Sequence, residues 1–288
     1  MAQIIAIANQ KGGTGKTTTT LNLGAALQEM GHSVLLVDMD PQASLTLALG
    51  LNPDDLETTI YTALTRVIET GEIDLAELNL IATDEGMDLI PANIELSQAD
   101  LDLVREPLGV YALRDVLRPT ADTYDYILVD CPPSLSILTT NGLAAAGQVI
   151  IPLQADYLAL KGVNLLLRTI TKIQRRANRN LQIAGVLLTI ADLRTLHARE
   201  MITTTRQAFN ERVFVFETVI RMSVQLKESP VTGRSVLAYA SDTVGADAYR
   251  ELARELVERL SAAVDSTALE QLQSDETEGT VKEVTEDG

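Results

Sequence analysis

A glycine-rich run of residues is the first sign of chemistry in this sequence. It reads KGGTGKTT over residues 11–18 and lies between an apolar stretch and a helical pattern. The glycines let the backbone wrap closely, so that successive N–H groups can point at one anion, and the start of a helix adds partial positive charge. Lys16 can neutralise phosphate oxygens, and the Thr17 hydroxyl can bind Mg²⁺. The run predicts a phosphate-binding loop, although Gln10 stands where the strict Gly-x4-Gly-Lys-Thr pattern has its first glycine.

Three aspartates end predicted strands and could serve the same site. Asp38 and Asp40 close one apolar run, and Asp130 closes another. Side chains two residues apart on an extended strand point to the same side. Since the strands of a parallel sheet all end at one edge, these carboxylates should lie beside the loop that follows the first strand. Carboxylates there can hold Mg²⁺ with its waters and can orient an attacking water molecule.

The elements that must position these residues alternate between strand and helix. Short apolar runs predict buried strands, and apolar residues at helical spacing predict helices. Strands are expected at residues 3–9, 33–40, 87–90, 124–130, 148–154, 181–190 and 213–220, and helices at 17–30, 136–147, 163–178, 195–209 and 241–264. This order predicts an α/β fold, a doubly wound and mostly parallel sheet flanked by helices.

The chain divides into two regions of different composition. Residues 1–264 carry the strand and helix pattern and are expected to form one domain. Residues 265–288 contain eight acids, one lysine and few apolar residues, which predicts a disordered, solvating acidic tail.

The composition excludes several classes of site. The chain has 288 residues, 46% of them hydrophobic, with 3% aromatic residues and no Trp. This low aromatic content argues against a protein that binds single-stranded nucleic acid by stacking bases on aromatic rings. A single cysteine, Cys131, excludes a disulfide framework and a Cys-rich metal centre within one chain. Two histidines leave little material for a His-based metal centre. No stretch approaches ~18 consecutive apolar residues, so we expect a cytoplasmic protein without a membrane segment.

The charge of the chain is divided unevenly. The net charge is −17, yet residues 161–234 hold 13 Lys or Arg and only five acids, a local excess of +8. A surface that tracks phosphates needs several cations and little base reading, so this cluster predicts nonspecific DNA binding. A solvated basic face is the plainer alternative. The candidate DNA-contacting residues are Arg168, Lys172, Arg175, Arg176, Arg179, Arg194, Arg199 and Arg221.

Several of these motifs together resemble a known family. KGGTGKTT is similar to the deviant Walker A motif of the ParA/MinD group, and VDMDPQAS and ILVDCPPS resemble the second and third nucleotide motifs of that group. The stretches VIIPLQADYLALKGV and GVLLTIADLRT also follow the pattern of ParA/Soj partition ATPases. The resemblance extends over roughly residues 3–260. It implies an ATPase that uses ATP and Mg²⁺.

The resemblance also implies roles for individual residues of the loop and its surroundings. Lys11 would be a signature lysine that reaches across a dimer interface to the ATP of the partner subunit. Asp40 would position or activate the hydrolytic water, so that Lys11, Lys16 and Asp40 form the expected catalytic set. The expected nucleotide-binding residues are Lys11, Gly12, Gly13, Thr14, Gly15, Lys16, Thr17 and Thr18.

The resemblance further implies where the metal ion, the base and DNA are bound. Thr17 would ligate Mg²⁺, with Asp38 and Asp130 acting on the ion mainly through water. Residues 220–223 read Ile-Arg-Met-Ser where the family often has Ile-Pro-Arg-Asn near the adenine pocket, so the base contacts depart from the family pattern. Arg194 occupies the position of an arginine that contacts DNA in the resembling partition proteins.

The implied function is a DNA-partition cycle. ATP binding would form a sandwich dimer, and the dimer would bind nonspecific double-stranded DNA at the nucleoid. A ParB-like or adaptor protein would then stimulate the slow hydrolysis of ATP and release the DNA. The cargo would be plasmid or chromosome DNA. Positioning of a protein cargo such as carboxysomes stays open as an alternative, because nothing in the chain separates these cargos.

Two other members of the group fit the sequence less well. A MinD-like membrane-cycling ATPase needs a basic amphipathic C-terminal helix, whereas this C-terminus, EQLQSDETEGTVKEVTEDG, is acidic. A relative of the nitrogenase iron protein would need two cysteines from each chain to hold a shared cluster. Only Cys131 is present, and we expect it to be a small buried residue and not a nucleophile.

Overall fold

The computed structural model describes residues 1–155, 157–209 and 213–262, which contain one eight-stranded sheet. The strands are β1 Gln3–Ile7, β2 Val34–Asp38, β3 Ile81–Ala82, β4 Asp88–Ile90, β5 Tyr126–Asp130, β6 Gln148–Gln154, β7 Gln182–Ala191 and β8 Val215–Arg221. Their spatial order is β3-β4-β2-β5-β1-β6-β7-β8. Neighbouring strands pair in parallel except for β3 with β4. The predicted α/β fold is confirmed.

Helices cover both faces of the sheet. They are α1 Lys16–Glu29, α2 Ser44–Ala48, α3 Ile60–Thr70, α4 Leu96–Arg105, α5 Ala112–Leu117, α6 Ile137–Ala145, α7 Tyr157–Arg176, α8 Leu196–Phe209, α9 Gln225–Glu228, α10 Val236–Tyr239 and α11 at residues 244–262. The helices α1 and α11 pack into one apolar core, and α3 to α7 pack into a second core on the other face. In the parts of the chain described, no helix has both the length and the apolar character needed to cross a bilayer.

The central strands are apolar throughout because both of their faces are covered. All five residues of β2 and all five of β5 are buried. Along β2, Leu35 and Val37 point into one core, while Leu36 points into the other. This alternation follows from the two-residue period of a strand, and burial of both faces explains why no polar residue interrupts it before Asp38.

The loop after β1 leaves the sheet at the point where the order of strands reverses. From β1 the chain continues to β2 on one side, and from β5 it crosses to β6 on the other. Open parallel sheets bind ligands outside the carboxyl ends of their strands at such a point. Asp38 and Asp130 occupy matched positions at the ends of β2 and β5, and Ile7 of β1 is also level with Asp130. The fold therefore gathers the loop and two of the predicted aspartates at one edge.

The strand predicted at residues 33–40 is shorter than expected. It ends at Asp38, whose Oδ1 accepts a hydrogen bond from the Asp40 N–H at 3.1 Å. Asn9, two residues beyond the end of β1, forms a similar turn, in which its Oδ1 accepts from the Lys11 N–H at 3.0 Å. Such Asx turns offer the backbone an alternative to the sheet. Asp40 therefore lies beyond the strand, and the turn after Asp38, not strand geometry, determines its position.

The other differences concern regions without a strong local pattern. Between residues 44 and 117 the sequence predicted only the strand near residue 90, whereas the structure also has α2 to α5 and β3. The basic helix predicted at 163–178 spans Tyr157–Arg176, so Arg179 lies in the turn that follows. The predicted tail at 265–288 lies outside the described residues.

Gly24 tests how closely α1 packs against the sheet. A Cβ at Gly24 would meet Leu36 Cδ2 at 2.8 Å and Met87 Sδ at 3.0 Å. We expect Gly24→Val to lower the free energy of unfolding by roughly 1–3 kcal/mol, because overpacking forces buried side chains off their rotamers. Chemical denaturation measures this, with Gly147→Ala as the control, since a Cβ there meets Ile4 O at an ordinary 3.9 Å. Unchanged stability of Gly24→Val would show that α1 is not held this closely.

Candidate functional site

Residues 8–15 connect β1 to α1 and form the predicted phosphate-binding loop. Gly13 and Gly15 have φ values of +70° and +85°, in a region that glycine enters without steric cost. The helix α1 starts directly after Gly15. Because the first N–H groups of a helix have no intrahelical acceptor, the loop and the helix start together present donors and positive charge to an anion.

The two lysines of the loop are placed differently. Lys16 is buried, and its Nζ donates to the Lys11 carbonyl oxygen at 3.3 Å. Burial lowers the pKa of Lys16, and the nearby Asp130 and Asp40 partly offset this effect. Lys11, in contrast, is exposed at the surface. Lys16 therefore faces the inside of the site, while Lys11 can be reached from outside.

Asp38 and Asp130 are buried side by side at this edge of the sheet. Burial raises the pKa of Asp130 well above its ordinary value, and the charge of Asp38 raises it further. Burial also raises the pKa of Asp38, to about 6. Ionisation of two adjacent buried carboxyl groups is unfavourable unless positive charge lies close to them. The edge therefore favours the binding of a cation.

Thr17 contacts one of these carboxylates directly. Thr17 Oγ1 donates to Asp130 Oδ2 at 2.6 Å, and Thr20 Oγ1 lies 3.4 Å from Asp130 Oδ1. Magnesium prefers oxygen ligands, keeps several waters, and usually binds a protein through one or two carboxylates plus phosphate oxygens. The donor set of Thr17 and Asp130 fits such an ion.

Asp38 has a structural role at the same edge. Its Oδ2 accepts from Thr46 N–H at 2.9 Å and from Thr46 Oγ1 at 2.8 Å, and its Oδ1 accepts from Asp40 N–H. Within residues 1–155, 157–209 and 213–262, no group of three His, Cys, Asp or Glu is arranged to hold a metal ion. The metal-binding roles of Thr17, and of Asp38 and Asp130 acting mainly through water, stay predictions.

Asp40 lies in the turn beyond β2. It is buried, and its Oδ1 accepts from the Gln42 N–H at 3.0 Å. Its charge acts on the pKa of both Lys16 and Asp130, which shows that these side chains share one electrostatic environment. The three aspartates do converge beside the loop, but the turn after Asp38 brings Asp40 there, not the strand.

A cavity of about 120 Å³ opens beside the loop. Gly15 and Thr18 line it from the side of the loop, and residues 220–223 and Tyr249 line it from the other side. Ile190, which also lines the cavity, has a φ of +55°. That value is a strained backbone conformation for a β-branched residue. The segment 220–223, where the sequence departs from the family pattern, thus borders the loop, and its place near the adenine stays a prediction.

Two residues that hold the loop in place were missed from the sequence. Buried Asn9 donates through Nδ2 to the Pro152 carbonyl at 2.7 Å and accepts from the Lys11 N–H at 3.0 Å. Thr189, near the end of β7, donates through Oγ1 to the Thr14 carbonyl at 2.8 Å. An Asn at the end of a strand is a local turn signal that could have been found. Thr189 is 175 residues away from Thr14, so no local pattern points to it.

A larger open cavity adjoins the first and has a volume of about 1160 Å³. The two cavities share residues 221–223 and Lys227. Three of the candidate DNA-contacting residues, Arg194, Arg199 and Arg221, line this larger cavity. We call it the basic groove. It lies at the same edge of the sheet as the phosphate-binding loop.

Two arginines of the basic groove have partners within the protein. Arg194 pairs with Asp192 through Nε–Oδ1 and Nη2–Oδ2 contacts of 2.8 Å each, and these bonds lower the pKa of Asp192 to about 2. Arg199 Nε donates to the Leu193 carbonyl at 2.7 Å. The Arg194 side chain is 87% exposed. Because the pair is bidentate, an incoming phosphate would have to compete with Asp192 for the guanidinium group.

The other five candidates lie away from the groove, on exposed positions of α7 and the turn after it. The helix starts just after the end of β6 and runs back toward the opposite edge of the sheet. There Asn178 Nδ2 donates to the carbonyls of Leu143 and Ala146, just before β6 begins. The eight cations therefore do not form one continuous patch. These five are Arg168, Lys172, Arg175, Arg176 and Arg179.

Cys131 is buried directly after β5. A Cβ at Gly142 would meet its Sγ at 2.8 Å, which shows how closely α6 packs on it. Burial raises the pKa of the thiol, so it stays protonated and unreactive. The interpretation of Cys131 as a small core residue agrees with this placement.

Known proteins share this fold and this sequence pattern. The family described as an AAA domain matches residues 2–183. The chain is 41% identical over 256 residues to the sporulation initiation inhibitor protein Soj of Bacillus subtilis, covering 89% of this chain and 98% of that protein. It is 40% identical over 259 residues to the chromosome partitioning protein ParA of Myxococcus xanthus, covering 90% and 89% of the two chains.

A solved structure shows the same relation. The cobyrinic acid a,c-diamide synthase from Mycobacterium smegmatis, with bound ADP and magnesium, superposes with a TM-score of 0.78 at 39% identity, covering 91% of this chain and 97% of that chain. The fold and the site define a P-loop nucleotide hydrolase. From the matches over most of its length, the chain belongs to the ParA/Soj family of ATPases.

Thr189→Val tests whether the contact from β7 holds the loop in its binding geometry. The variant keeps the shape of the side chain but leaves the buried Thr14 carbonyl without its donor. We expect the free energy of unfolding to fall by about 1–2 kcal/mol and nucleotide affinity to fall several-fold. Calorimetric titration with an ATP analogue measures the affinity. Thr171→Val is the control, because exposed Thr171 bonds only within its own helix. Lower stability with unchanged affinity would restrict Thr189 to a structural role.

Proposed function

We propose that the chain binds ATP with Mg²⁺ at the phosphate-binding loop and hydrolyses it in a partition cycle. The bond from Thr17 to Asp130, next to buried Lys16 and at the start of α1, is the observation that carries this proposal. A triphosphate on the loop would meet the backbone N–H groups of residues 12–18 and the ammonium group of Lys16. The bound ADP and magnesium of the mycobacterial structure support the choice of ligands.

The base would occupy the cavity beside the loop. Ile220, Leu226 and Tyr249 give this cavity an apolar wall. Ser223, its polar neighbour, already donates to Gln225 Oε1 at 2.7 Å. Recognition of the base by this segment would therefore rest mainly on apolar contact.

Hydrolysis would use the charges that surround the loop. A magnesium ion held by Thr17, with Asp130 and Asp38 acting through water, would neutralise charge on the phosphate oxygens. Lys16 would stabilise the negative charge of the transferring phosphoryl group, and Asp40 would orient the attacking water. The shared electrostatic environment of Lys16, Asp40 and Asp130 supports this assignment.

A second copy of the chain would complete the site. Lys11, Gly12 and Gly13 are exposed together with Pro133 and Ser134, which follow β5 at the same edge. A second subunit placed against this surface could bring its own Lys11 to the phosphates. Turnover would then depend on dimer formation, because a cation supplied from the partner is needed in the transition state.

The basic groove would bind nonspecific double-stranded DNA. Its cations can track phosphates without reading bases, and it shares a wall with the cavity proposed for the base. Two grooves in a dimer would bind more tightly than one through avidity. The cations of α7 would add a second contact zone at a distance from the nucleotide.

Membership of the family supports a proposal for the cargo and the partner. The ParA of Myxococcus xanthus is a chromosome partitioning protein, and we propose the same class of role here, in the cytoplasm at the nucleoid, with chromosome or plasmid DNA as the cargo. A ParB-like or adaptor protein on the cargo would stimulate a slow basal ATPase. Positioning of a protein cargo remains the alternative, and DNA binding by the groove would serve it equally.

Asp40→Ala tests the hydrolytic step. Nucleotide affinity should stay close to that of the wild type, while turnover should fall about 100-fold or more, because a positioned base or water-orienting group is lost. Phosphate release and calorimetric binding measure the two quantities. Asp84→Ala, which removes an exposed carboxylate in the turn between β3 and β4, serves as the control. Turnover by Asp40→Ala equal to the wild type would contradict the role of Asp40.

Arg194→Ala tests the basic groove. DNA affinity with ATP present should fall to a similar degree on unrelated duplexes, and the slope of log affinity against log salt should decrease by about 0.9. ATP turnover without DNA should not change. Fluorescence anisotropy over a salt series measures this, with Arg66→Ala as the control because Arg66 pairs with Glu77 away from the groove. A loss confined to one DNA sequence would count against a phosphate contact.

A further inference from the structure

The cavity beside the phosphate-binding loop has two cations where it meets the basic groove. Arg221 and Lys227 line both cavities, and both side chains are exposed. Among the residues that the structure describes, neither of these cations forms an ion pair within the protein. Their N–H groups are therefore available to a ligand that enters the cavity.

The other polar groups of this cavity are weaker. Within the described part of the chain, the lining side chains are apolar, hydroxyl-bearing or cationic, and no carboxylate or amide is among them. Two of the hydroxyls already donate within the protein: Thr189 to the Thr14 carbonyl at 2.8 Å and Ser223 to Gln225 Oε1 at 2.7 Å. Their oxygens can still accept a bond, but charge-assisted hydrogen bonds are roughly twice as strong as neutral ones. The two cations are therefore the dominant polar groups.

Purine bases differ in what they offer to cationic donors. Guanine presents two neighbouring acceptors, N7 and O6, whereas adenine presents the N7 acceptor beside a 6-amino group that is itself a donor. Arg and Lys pair with the two acceptors of guanine in the commonest specific contact between a protein and a base. Cations that face this edge of a purine therefore favour an oxo group at position 6 over an amino group.

The apolar wall of the cavity does not distinguish these bases. Ile220, Leu226 and Tyr249 belong to one hydrophobic core and offer a surface on which any purine ring can lie. An apolar pocket discriminates weakly between ligands of similar shape, whereas a site built to hydrogen-bond one polar group rejects analogues that lack this group far more strongly. The choice of base therefore depends on the polar groups of the cavity, and the dominant ones are donors.

We propose that the cavity accepts 6-oxopurine nucleotides, those of guanine and hypoxanthine, at least as well as adenine nucleotides, and that Arg221 and Lys227 determine this choice. The proposal rests on the nucleotide binding proposed above and widens the class of nucleotide that the site takes. Guanine differs from hypoxanthine by a 2-amino group. Because none of the described lining residues is an acid that could accept from this group, the two bases should bind alike.

The choice of base is tested by calorimetric titration of the nucleotide-free full chain with ADP, GDP and IDP in the presence of Mg²⁺. Diphosphates carry the same bases and avoid hydrolysis during the titration. IDP differs from ADP only at N1 and C6, so this pair isolates the effect of the oxo group. We expect IDP and GDP to bind with the affinity of ADP within about threefold, or more tightly. A larger preference for ADP over IDP overturns the proposal.

The role of the two cations is tested with Arg221→Met/Lys227→Met, which removes both donors and keeps long side chains. The affinity for IDP relative to ADP should fall about threefold or more, a modest factor because water competes for exposed cations. Arg194→Met/Arg199→Met is the matched control, since these two cations line the basic groove but not the cavity. It should lower all affinities alike and leave their ratio unchanged. An unchanged ratio in Arg221→Met/Lys227→Met overturns the role of the two cations.

Lys227→Glu tests the same position by exchanging a donor for an acceptor. The 6-amino group of adenine can donate to the new carboxylate, whereas the oxo group of hypoxanthine is repelled by it. The affinity ratio should therefore turn toward ADP, and further than in Lys227→Met. The wild-type ratio in Lys227→Glu would contradict the contribution of Lys227.

The choice of base and the nucleotide site can fail separately. Tight binding of ADP with little binding of IDP and GDP overturns the choice of base and leaves the proposed ATPase site supported. No binding of any of the three nucleotides to the folded wild type refutes the proposed nucleotide site, and the choice of base with it.

Discussion

The burial of two carboxylates at the ends of neighbouring strands is the constraint on which the rest of this structure depends. Burial raises the pKa of both Asp38 and Asp130, because the ionised groups lose their hydration there. The protein places the hydroxyls of Thr17 and Thr46 and the ammonium group of Lys16 beside them. These groups reduce the cost of burial but leave a demand for positive charge. The proposed magnesium ion meets that demand and would in turn bind the triphosphate held by the loop at the start of α1.

The same edge brings the basic groove close to the nucleotide. The basic groove shares residues 221–223 with the cavity for the base. A ligand in the groove therefore contacts elements that also border the candidate site, and a ligand can shift an equilibrium only through such differential contacts. Most of α7 runs toward the opposite edge of the sheet, so most of its cations do not border the candidate site.

Local patterns predicted the parts of the site that are encoded in consecutive residues. The glycines of the loop, the apolar strands and the aspartates at their ends were found in this way. Local patterns cannot reveal contacts between residues that are distant in sequence. The hydrogen bond from Thr189 to the Thr14 carbonyl is an example. The Asx turn at Asp38 overrides the strand pattern through one side-chain hydrogen bond. The cations between residues 168 and 221 are close in sequence but lie at both edges of the sheet, because a crossover helix runs antiparallel to its strands.

Calorimetric titration of ATP into the nucleotide-free protein, with and without Mg²⁺, tests most directly the claim that the buried carboxylates and the loop form one site completed by Mg²⁺-ATP. The account predicts one saturable site per chain, affinity that rises about tenfold or more with Mg²⁺, and loss of binding in Lys16→Ala. Affinity that is independent of Mg²⁺, or binding retained by Lys16→Ala, would contradict it.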